Sequence, residues 1–93
     1  SLTDDIIRTA KDIYIDAWTA NNILVKSADD WKMRKALQER AARNCNNLLA
    51  LIQLAKTIFH LKSKRVKYWS EKTIDVRGYL RSWRDADSKR YGK

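Results

Sequence analysis

The sequence predicts an all-α protein, an antiparallel up-and-down helical bundle, and three observations support this. The 93-residue chain has no proline and only two glycines, Gly78 and Gly92, so the residues that usually mark strands, hairpins and long loops are nearly absent. Apolar residues recur at helical spacing along three long segments. A serine or threonine that can cap a helix precedes each segment. Because a chain this short holds one hydrophobic core, we expect a single domain over residues 1–93.

The first helix is predicted over about residues 4–25. Apolar side chains recur at steps of three and four from Ile6 onward, as in a helix with one buried face. Thr3 is placed to cap the free amides at the start. Asp4 and Asp5 follow it, where negative charge interacts well with the positive end of the helix dipole.

The second helix is predicted over about residues 28–61. Ser27 can cap it, and Asp29 and Asp30 stand in the first turn as a weak capping box. An apolar stripe then continues through Cys45 to the end of the segment. We therefore expect a long helix that faces the core along most of its length.

The third helix is predicted over about residues 64–86, with Ser63 as its cap and a basic tail over residues 87–93. Its apolar residues alternate steps of three and four, which is the pattern of a seam packed along a bundle axis. Trp69 and Trp83 fit that seam and are assigned to packing rather than to stacking on bases.

The connections and the isolated glycine complete the predicted arrangement. The links near Lys26 and Lys62 are only a few residues long, so consecutive helices must run antiparallel. Gly78 lies alone inside the third helix, where its expected use is to let a neighbouring helix approach closely.

The balance of charge indicates a polyanionic partner. The chain has 20 Lys and Arg against 11 Asp and Glu, a formal charge of +9 and a pI near 9.9. Residues 63–93 hold ten basic and four acidic side chains, whereas residues 1–26 hold three and four. Such an excess attracts nucleic acid first and an anionic membrane second. No apolar run approaches the roughly 20 residues that span a bilayer, so no membrane-spanning helix is expected. Nucleic acid is therefore the predicted partner, and no membrane partner is assigned.

The residue types needed for catalysis are scarce. A zinc or iron site needs three or four His, Cys or carboxylate ligands, and the chain has one histidine, His60, and one cysteine, Cys45. His60 suits the negative end of the second helix, and Cys45 falls on the core stripe. No glycine-rich phosphate loop is present. We therefore expect no catalytic residue, no metal and no cofactor, and the lone cysteine favours a reducing, cytoplasmic location.

The positive signal is the arrangement of the cations. Arg77, Arg81 and Arg84 are spaced by four and three, so they share one edge of the third helix. The predicted nucleic-acid-binding residues are Lys64, Arg65, Lys67, Arg77, Arg81, Arg84, Lys89 and Arg90, with Arg40 and Arg43 on the second helix and Lys93 in the tail.

The alternative is that these cations are ordinary solvated surface. Arg81 could pair with Asp85 one turn away, and exposed ion pairs of that kind are common on helices. Of Trp69, Trp83 and Tyr91, only Tyr91 is expected to be free for stacking on a base.

Three segments resemble a known family. They are AWTANNILV at 17–25, CNNLLALIQLAKTIFHLKSKRVKYW at 45–69 and VRGYLRSWRDADSKRY at 76–91. Together they are similar to the four-helix-bundle proteins of the accessory variability determinant (Avd) type, found in diversity-generating retroelements of phages and bacteria. A more distant resemblance is to the bundle protein encoded in intervening sequences of bacterial 23S ribosomal RNA genes.

The resemblance implies a partner and an assembly. Avd-like proteins imply a basic homo-oligomer, typically a pentamer, that binds a reverse transcriptase and its template RNA or DNA during mutagenic retrohoming. Family members usually have a further helix before the segment that begins here at Ser1, so the chain would show three of four helices. The basic positions that match the family's terminal pattern are Lys64, Arg65, Arg77, Arg81, Arg84, Lys89 and Arg90.

The sequence and the resemblance leave two candidate functions. The first is a non-enzymatic accessory protein that binds nucleic acid and a reverse transcriptase. The alternative is a helical protein-interaction scaffold of the 23S intervening-sequence type, with no specific role for nucleic acid.

Overall fold

The computed structural model describes residues 1–92, and Lys93 of the predicted tail lies outside the described residues. Three helices account for nearly all of this part of the chain: α1 (Leu2–Asn21), α2 (Ala28–Phe59) and α3 (Ser63–Tyr91). The predicted all-α class is confirmed. Within residues 1–92 no helix is both long enough and apolar enough to cross a bilayer.

α1 is shorter than predicted and has a different cap. Its cap is Ser1, whose Oγ accepts a hydrogen bond from the Asp4 amide at 3.3 Å, and not Thr3. The helix ends at Asn21 instead of near residue 25, because the Asn22 side chain donates to the Trp18 carbonyl at 2.7 Å and closes the last turn. Side chains that satisfy terminal backbone groups in this way end a helix even where apolar residues continue.

α2 begins as the sequence predicts. Ser27 Oγ accepts from the Asp30 amide at 3.1 Å, and the Asp30 carboxylate accepts in return from the Lys26 amide at 3.0 Å. This exchange satisfies two backbone donors at once. The helix ends before His60, which adopts a left-handed backbone with φ 52° and ψ 44°. His60 is thus the residue that turns the chain toward α3.

α3 departs from its prediction at both ends. Lys62 is its cap residue and makes no side-chain capping bond, so the assignment of Ser63 as cap is wrong. The helix also continues to Tyr91 instead of stopping near residue 86, and most of the predicted tail is therefore helical. Tertiary contacts extend the helix, because Asp87, in this last part of α3, is buried against α2.

α2 lies between the other two helices, which hardly touch one another. Arg34 of α2 contacts Asp87, and Asn46 contacts Arg77, so residue numbers fall on α3 as they rise on α2. This order makes α2 and α3 antiparallel. Asp16 of α1 contacts Arg40, and Ile23, two residues after the end of α1, contacts Arg34, so α1 and α2 follow the same descending order.

The core is small and depends on short side chains of α2. Because Ala41, Ala42 and Cys45 are short, α1 and α3 can both pack closely on the same stretch of α2. Ile13 from α1 and Leu80 from α3 complete this cluster. The assignment of Cys45 to the core is confirmed.

Two expectations about α3 are wrong. A methyl group added at Gly78 would meet nothing within 4 Å, so this glycine does not serve a close helix approach. The predicted seam is only partly buried: Val66, Thr73 and Leu80 are buried, whereas Val76 is 44% exposed. The reason is that α3 packs on α2 along one side of this stripe, whereas along the other side it hardly touches another helix of residues 1–92.

A buried polar network joins α2, α3 and the α1–α2 connection near one end of the structure. Arg34 Nε donates to Asp87 Oδ2 at 2.8 Å, and Gln38 Nε2 donates to the same oxygen at 2.7 Å. Arg34 Nη1 also donates to the Ile23 carbonyl at 3.1 Å, and its guanidinium lies 5.0 Å from the centre of the Trp83 ring. Arg34 therefore ties the α1–α2 connection and α3 to α2.

Candidate nucleic-acid interface

The three arginines at positions 77, 81 and 84 lie on the side of α3 that adjoins α2, and we call them the basic edge. Arg77 Nη1 donates to Asn46 Oδ1 of α2 at 2.7 Å. The charges of Arg77 and Arg81 both act on the pKa of Cys45, which places them near the middle of α2. Arg84 follows Arg77 by seven positions along the helix, so the basic edge extends over about 10 Å.

The charges of the basic edge are not equally available. The partner of Arg77 is a neutral amide, so its positive charge is not cancelled. Arg81 is exposed and has no hydrogen bond or ion pair with another side chain of residues 1–92. Arg84 pairs with Asp85 at 3.1 Å, so the expected alternative pair of Arg81 with Asp85 is not the one formed.

The start of α3 adds cations next to exposed aromatic rings. Arg65 lies 5.8 Å from the centre of the Trp69 ring, and Lys64, Arg65, Tyr68 and Trp69 border a shallow depression. Lys67 is closest to Glu71, at 3.9 Å, and both side chains are exposed. Trp69 is 40% exposed, so its assignment to packing alone is wrong. Arg beside an exposed ring is an arrangement that can hold a phosphate and an unstacked base together.

The end of α3 carries the last two predicted cations. Lys89 and Arg90 are exposed, and the Arg90 guanidinium lies 5.8 Å from the centre of the Tyr91 ring. Tyr91 was expected to be free, but it is half-buried and packs on Trp31 with ring centres 5.9 Å apart. This contact holds the end of α3 against the start of α2.

The two predicted arginines of α2 have different surroundings. Arg40 donates two hydrogen bonds to the buried Asp16 carboxylate, each 2.7 Å long, and this contact raises the pKa of Arg40. Arg43, three residues further along, is exposed and has no such partner among residues 1–92. Arg40 therefore has a structural contact within the fold, whereas the charge of Arg43 is available to solvent.

Most of the predicted cations thus stand without a carboxylate partner. Arginine offers a planar fork of donors that matches a phosphate group, and lysine contributes a mobile point charge. Cations fixed on a helical surface can displace the counterions condensed on a nucleic acid. Within residues 1–92, the predicted binding residues that have no carboxylate partner are Lys64, Arg65, Arg77, Arg81, Lys89, Arg90 and Arg43.

The described residues hold no cluster that resembles a metal site. Within residues 1–92 no three His, Cys, Asp or Glu side chains come together as ligands. Cys45 is buried, and burial raises the pKa of its thiol while the nearby charges of Arg77 and Arg81 lower it. At neutral pH a thiol of this kind stays protonated and is a poor nucleophile.

No protein-family model, no curated protein and no solved structure matches this chain. The resemblance to the Avd-like bundle proteins therefore stays a prediction based on the three segments quoted above.

Proposed function

We propose that this protein is a non-enzymatic accessory protein that binds RNA or DNA through the phosphate backbone. The observation that carries the proposal is the basic edge of α3, where Arg77 and Arg81 are held beside α2 without a carboxylate partner. Lys64 and Arg65 extend this charge at the start of the helix, and Arg90 extends it at the end.

The binding is electrostatic. Each Lys or Arg that neutralises a phosphate releases a condensed counterion, so affinity falls steeply as salt rises. Contacts to phosphates fix position and orientation but read no sequence. We therefore expect a weak preference among sequences. A moderate preference for single strands would come from the exposed Trp69 and Tyr68 rings.

A charge-reversal experiment tests this proposal. The triple variant Arg77→Glu, Arg81→Glu, Arg84→Glu is compared with Lys11→Glu, Lys26→Glu, Lys32→Glu, which changes the net charge equally at exposed positions elsewhere. We expect at least a tenfold loss of affinity for a fluorescent RNA or DNA oligonucleotide in the first variant and a much smaller loss in the second. Circular dichroism checks that both are folded. Equal losses would mean that only net charge matters, and binding that ignores salt would reject the proposal.

The proposed partner and assembly rest on the resemblance to the Avd-like bundle proteins. We propose that the protein acts with a reverse transcriptase in a diversity-generating retroelement, as an oligomer of the Avd type. Co-expression with a reverse transcriptase encoded beside its gene tests the first part, and sedimentation velocity tests the second. A gene located in a ribosomal RNA operon would contradict this assignment and favour the 23S intervening-sequence type.

A second candidate function, a protein-interaction scaffold, is favoured by exposed apolar surface. Tyr14 and Tyr79 are 70% and 72% exposed, and Trp18 is also largely exposed. Large exposed aromatic side chains are enriched where proteins meet. A pull-down with a candidate partner in nuclease-treated lysate separates the two functions, because a scaffold retains its partner when nucleic acid has been removed.

A further inference from the structure

An open groove runs between α1 and α3 with α2 as its floor, and we call it the α1–α3 groove. In the middle of the groove, Tyr14 and Ala17 of α1 face Thr73 and Val76 of α3 across Cys45 and Leu48. These side chains are predominantly apolar, yet α1 and α3 scarcely contact one another. The groove therefore leaves apolar side chains of all three helices uncovered.

One end of the groove is aromatic. Four rings line it, two from α1 and two from α3: Tyr14, Trp18, Tyr79 and Trp83. Rigid aromatic side chains around a cavity form the kind of pocket that accepts a large apolar anchor of a binding partner. Trp83 is itself held in place by the Arg34 guanidinium, 5.0 Å from the ring centre.

The length of the groove fits a helix of a few turns. Ile6 and Trp69 line one end, and Trp18 and Trp83 line the other. The distance from Ile6 to Trp18 along α1 is about 18 Å at 1.5 Å per residue. Because α1 and α3 both run antiparallel to α2, a fourth helix laid in the groove would complete an up-and-down bundle and bury both flanks. A helix of about 14–18 residues spans this length.

The charges at the groove select among possible occupants. Lys72 of α3 lines the cavities between α1 and α3, and Lys11 lies beside them in a depression of α1 that shares Ile6, Ala10 and Tyr14 with the groove; no carboxylate of residues 1–92 lines these cavities. A second copy of the chain also has a formal charge of +9, so it is a poor electrostatic complement to these lysines. A helix with acidic residues beside its apolar stripe would place opposite charges together.

We propose that the α1–α3 groove binds an amphipathic helix of a partner protein, with an apolar stripe that enters the groove and Asp or Glu residues that flank it. Apolar side chains at i, i+3 or i+4, and i+7 of the partner occupy the groove, as in other helix-in-groove complexes. Its flanking carboxylates meet Lys11 and Lys72.

This site lies on a different side of α3 from the basic edge. Val76 and Arg77 are adjacent in the sequence, so their side chains leave the helix about 100° apart. Arg77 is directed toward Asn46 of α2, whereas Val76 lines the groove. The inference is therefore independent of nucleic-acid binding, and the two surfaces can be inactivated separately.

The test uses two labelled peptides of about 18 residues with the same Leu stripe, one flanked by Glu and the other by Lys. Binding to the full chain is followed by fluorescence anisotropy. We expect the Glu-flanked peptide to bind at least tenfold more tightly than the Lys-flanked one. Reversal of Lys11 and Lys72 to Glu should reduce or invert this preference. Equal affinities, or no binding by either peptide, would overturn the proposal.

Matched variants of α3 locate the binding. Val76→Glu places a charge in the groove, and Ile74→Glu places the same charge at a position equally exposed, 43% against 44%, that lies outside it. We expect Val76→Glu to weaken peptide binding at least tenfold and Ile74→Glu to change it less than twofold. Tyr79→Glu serves as a second groove variant if Val76→Glu unfolds.

The oligomeric state of the free chain tests the competing occupant. Sedimentation velocity measures the oligomeric state of the wild type, Val76→Glu and Ile74→Glu. Self-association that Val76→Glu abolishes and Ile74→Glu preserves would assign the groove to a second copy and overturn the proposal. A groove that stays open in the free protein supports it. Oligonucleotide binding should change no more for Val76→Glu than for Ile74→Glu, which adds the same charge, and this distinguishes a failure of this inference from a failure of the proposed nucleic-acid function.

Discussion

Asp87 of α3 and Arg34 of α2 form a buried ion pair 2.8 Å long, 53 residues apart in the sequence. Asp87 also accepts from Gln38 at 2.7 Å, so one carboxylate oxygen has two donors from α2. The last two turns of α3 are positioned by this contact, and they carry Lys89 and Arg90 of the candidate nucleic-acid interface.

Removal of the buried carboxylate should destabilise the whole protein. Asp87→Ala leaves Arg34 and Gln38 without their acceptor, and breaking a buried pair in this way costs about 3–5 kcal/mol. Asp85→Ala is the control, because Asp85 is two residues away and its pair with Arg84 is exposed. Its expected cost is less than about 1 kcal/mol. Urea denaturation followed by circular dichroism measures both, and similar losses would contradict the role of the network.

Substitutions of Arg40 and Arg43 in α2 should affect different properties: stability for Arg40 and nucleic-acid binding for Arg43. Arg40→Ala leaves the buried Asp16 carboxylate without its two hydrogen bonds, so the thermal midpoint should fall by several degrees. Arg43→Ala removes an exposed cation and should change the free energy of unfolding by less than about 0.5 kcal/mol. If Arg43 contacts a phosphate, its removal lowers the salt dependence of oligonucleotide binding by about one counterion. A stable Arg40→Ala protein would disprove the structural role.

The Cys45 thiol should be protected at neutral pH. Burial raises its pKa and shields the sulfur, so alkylation of the native protein at pH 7.5 should be much slower than that of the denatured protein. Above the ordinary value of 9.0 the unfolded chain loses this proton before the folded chain does. The free energy of unfolding should therefore fall as the pH rises past about 9. Cys45→Ala should lack this part of the pH dependence, and an identical slope would contradict it.

Gly78→Ala should stabilise the protein. The site lies in the interior of α3, and an added methyl group meets nothing within 4 Å. Glycine costs a helix about 0.5–1 kcal/mol relative to alanine, so the free energy of unfolding should rise by about that amount. Gly92→Ala is the contrast, because its methyl group would lie 2.5 Å from the Ser88 carbonyl oxygen, and no gain is expected. Thermal denaturation distinguishes the two variants.

The two serines that the sequence assigns as caps should differ when replaced. Ser27→Ala removes the acceptor for the Asp30 amide and should cost about 1 kcal/mol. Ser63→Ala removes no capping bond, because the cap residue of α3 is Lys62. Its cost should stay below about 0.5 kcal/mol, as for a surface substitution. Equal costs, measured by chemical denaturation, would indicate that Ser63 contributes in some other way.

The sequence by itself determined the fold class, the three helical segments seen within residues 1–92, the cap at Ser27 and the burial of Cys45. These are local properties, since capping and the 3.6-residue period involve residues three or four apart. Only the tertiary structure decided that α3 continues to Tyr91, that Arg40 is held by Asp16, and that Val76 and Trp69 stay partly exposed. Each of these depends on which helices meet across the molecule. An apolar stripe shows that a helix has a face to bury, but it does not show whether a neighbour covers that face, and the α1–α3 groove is the result.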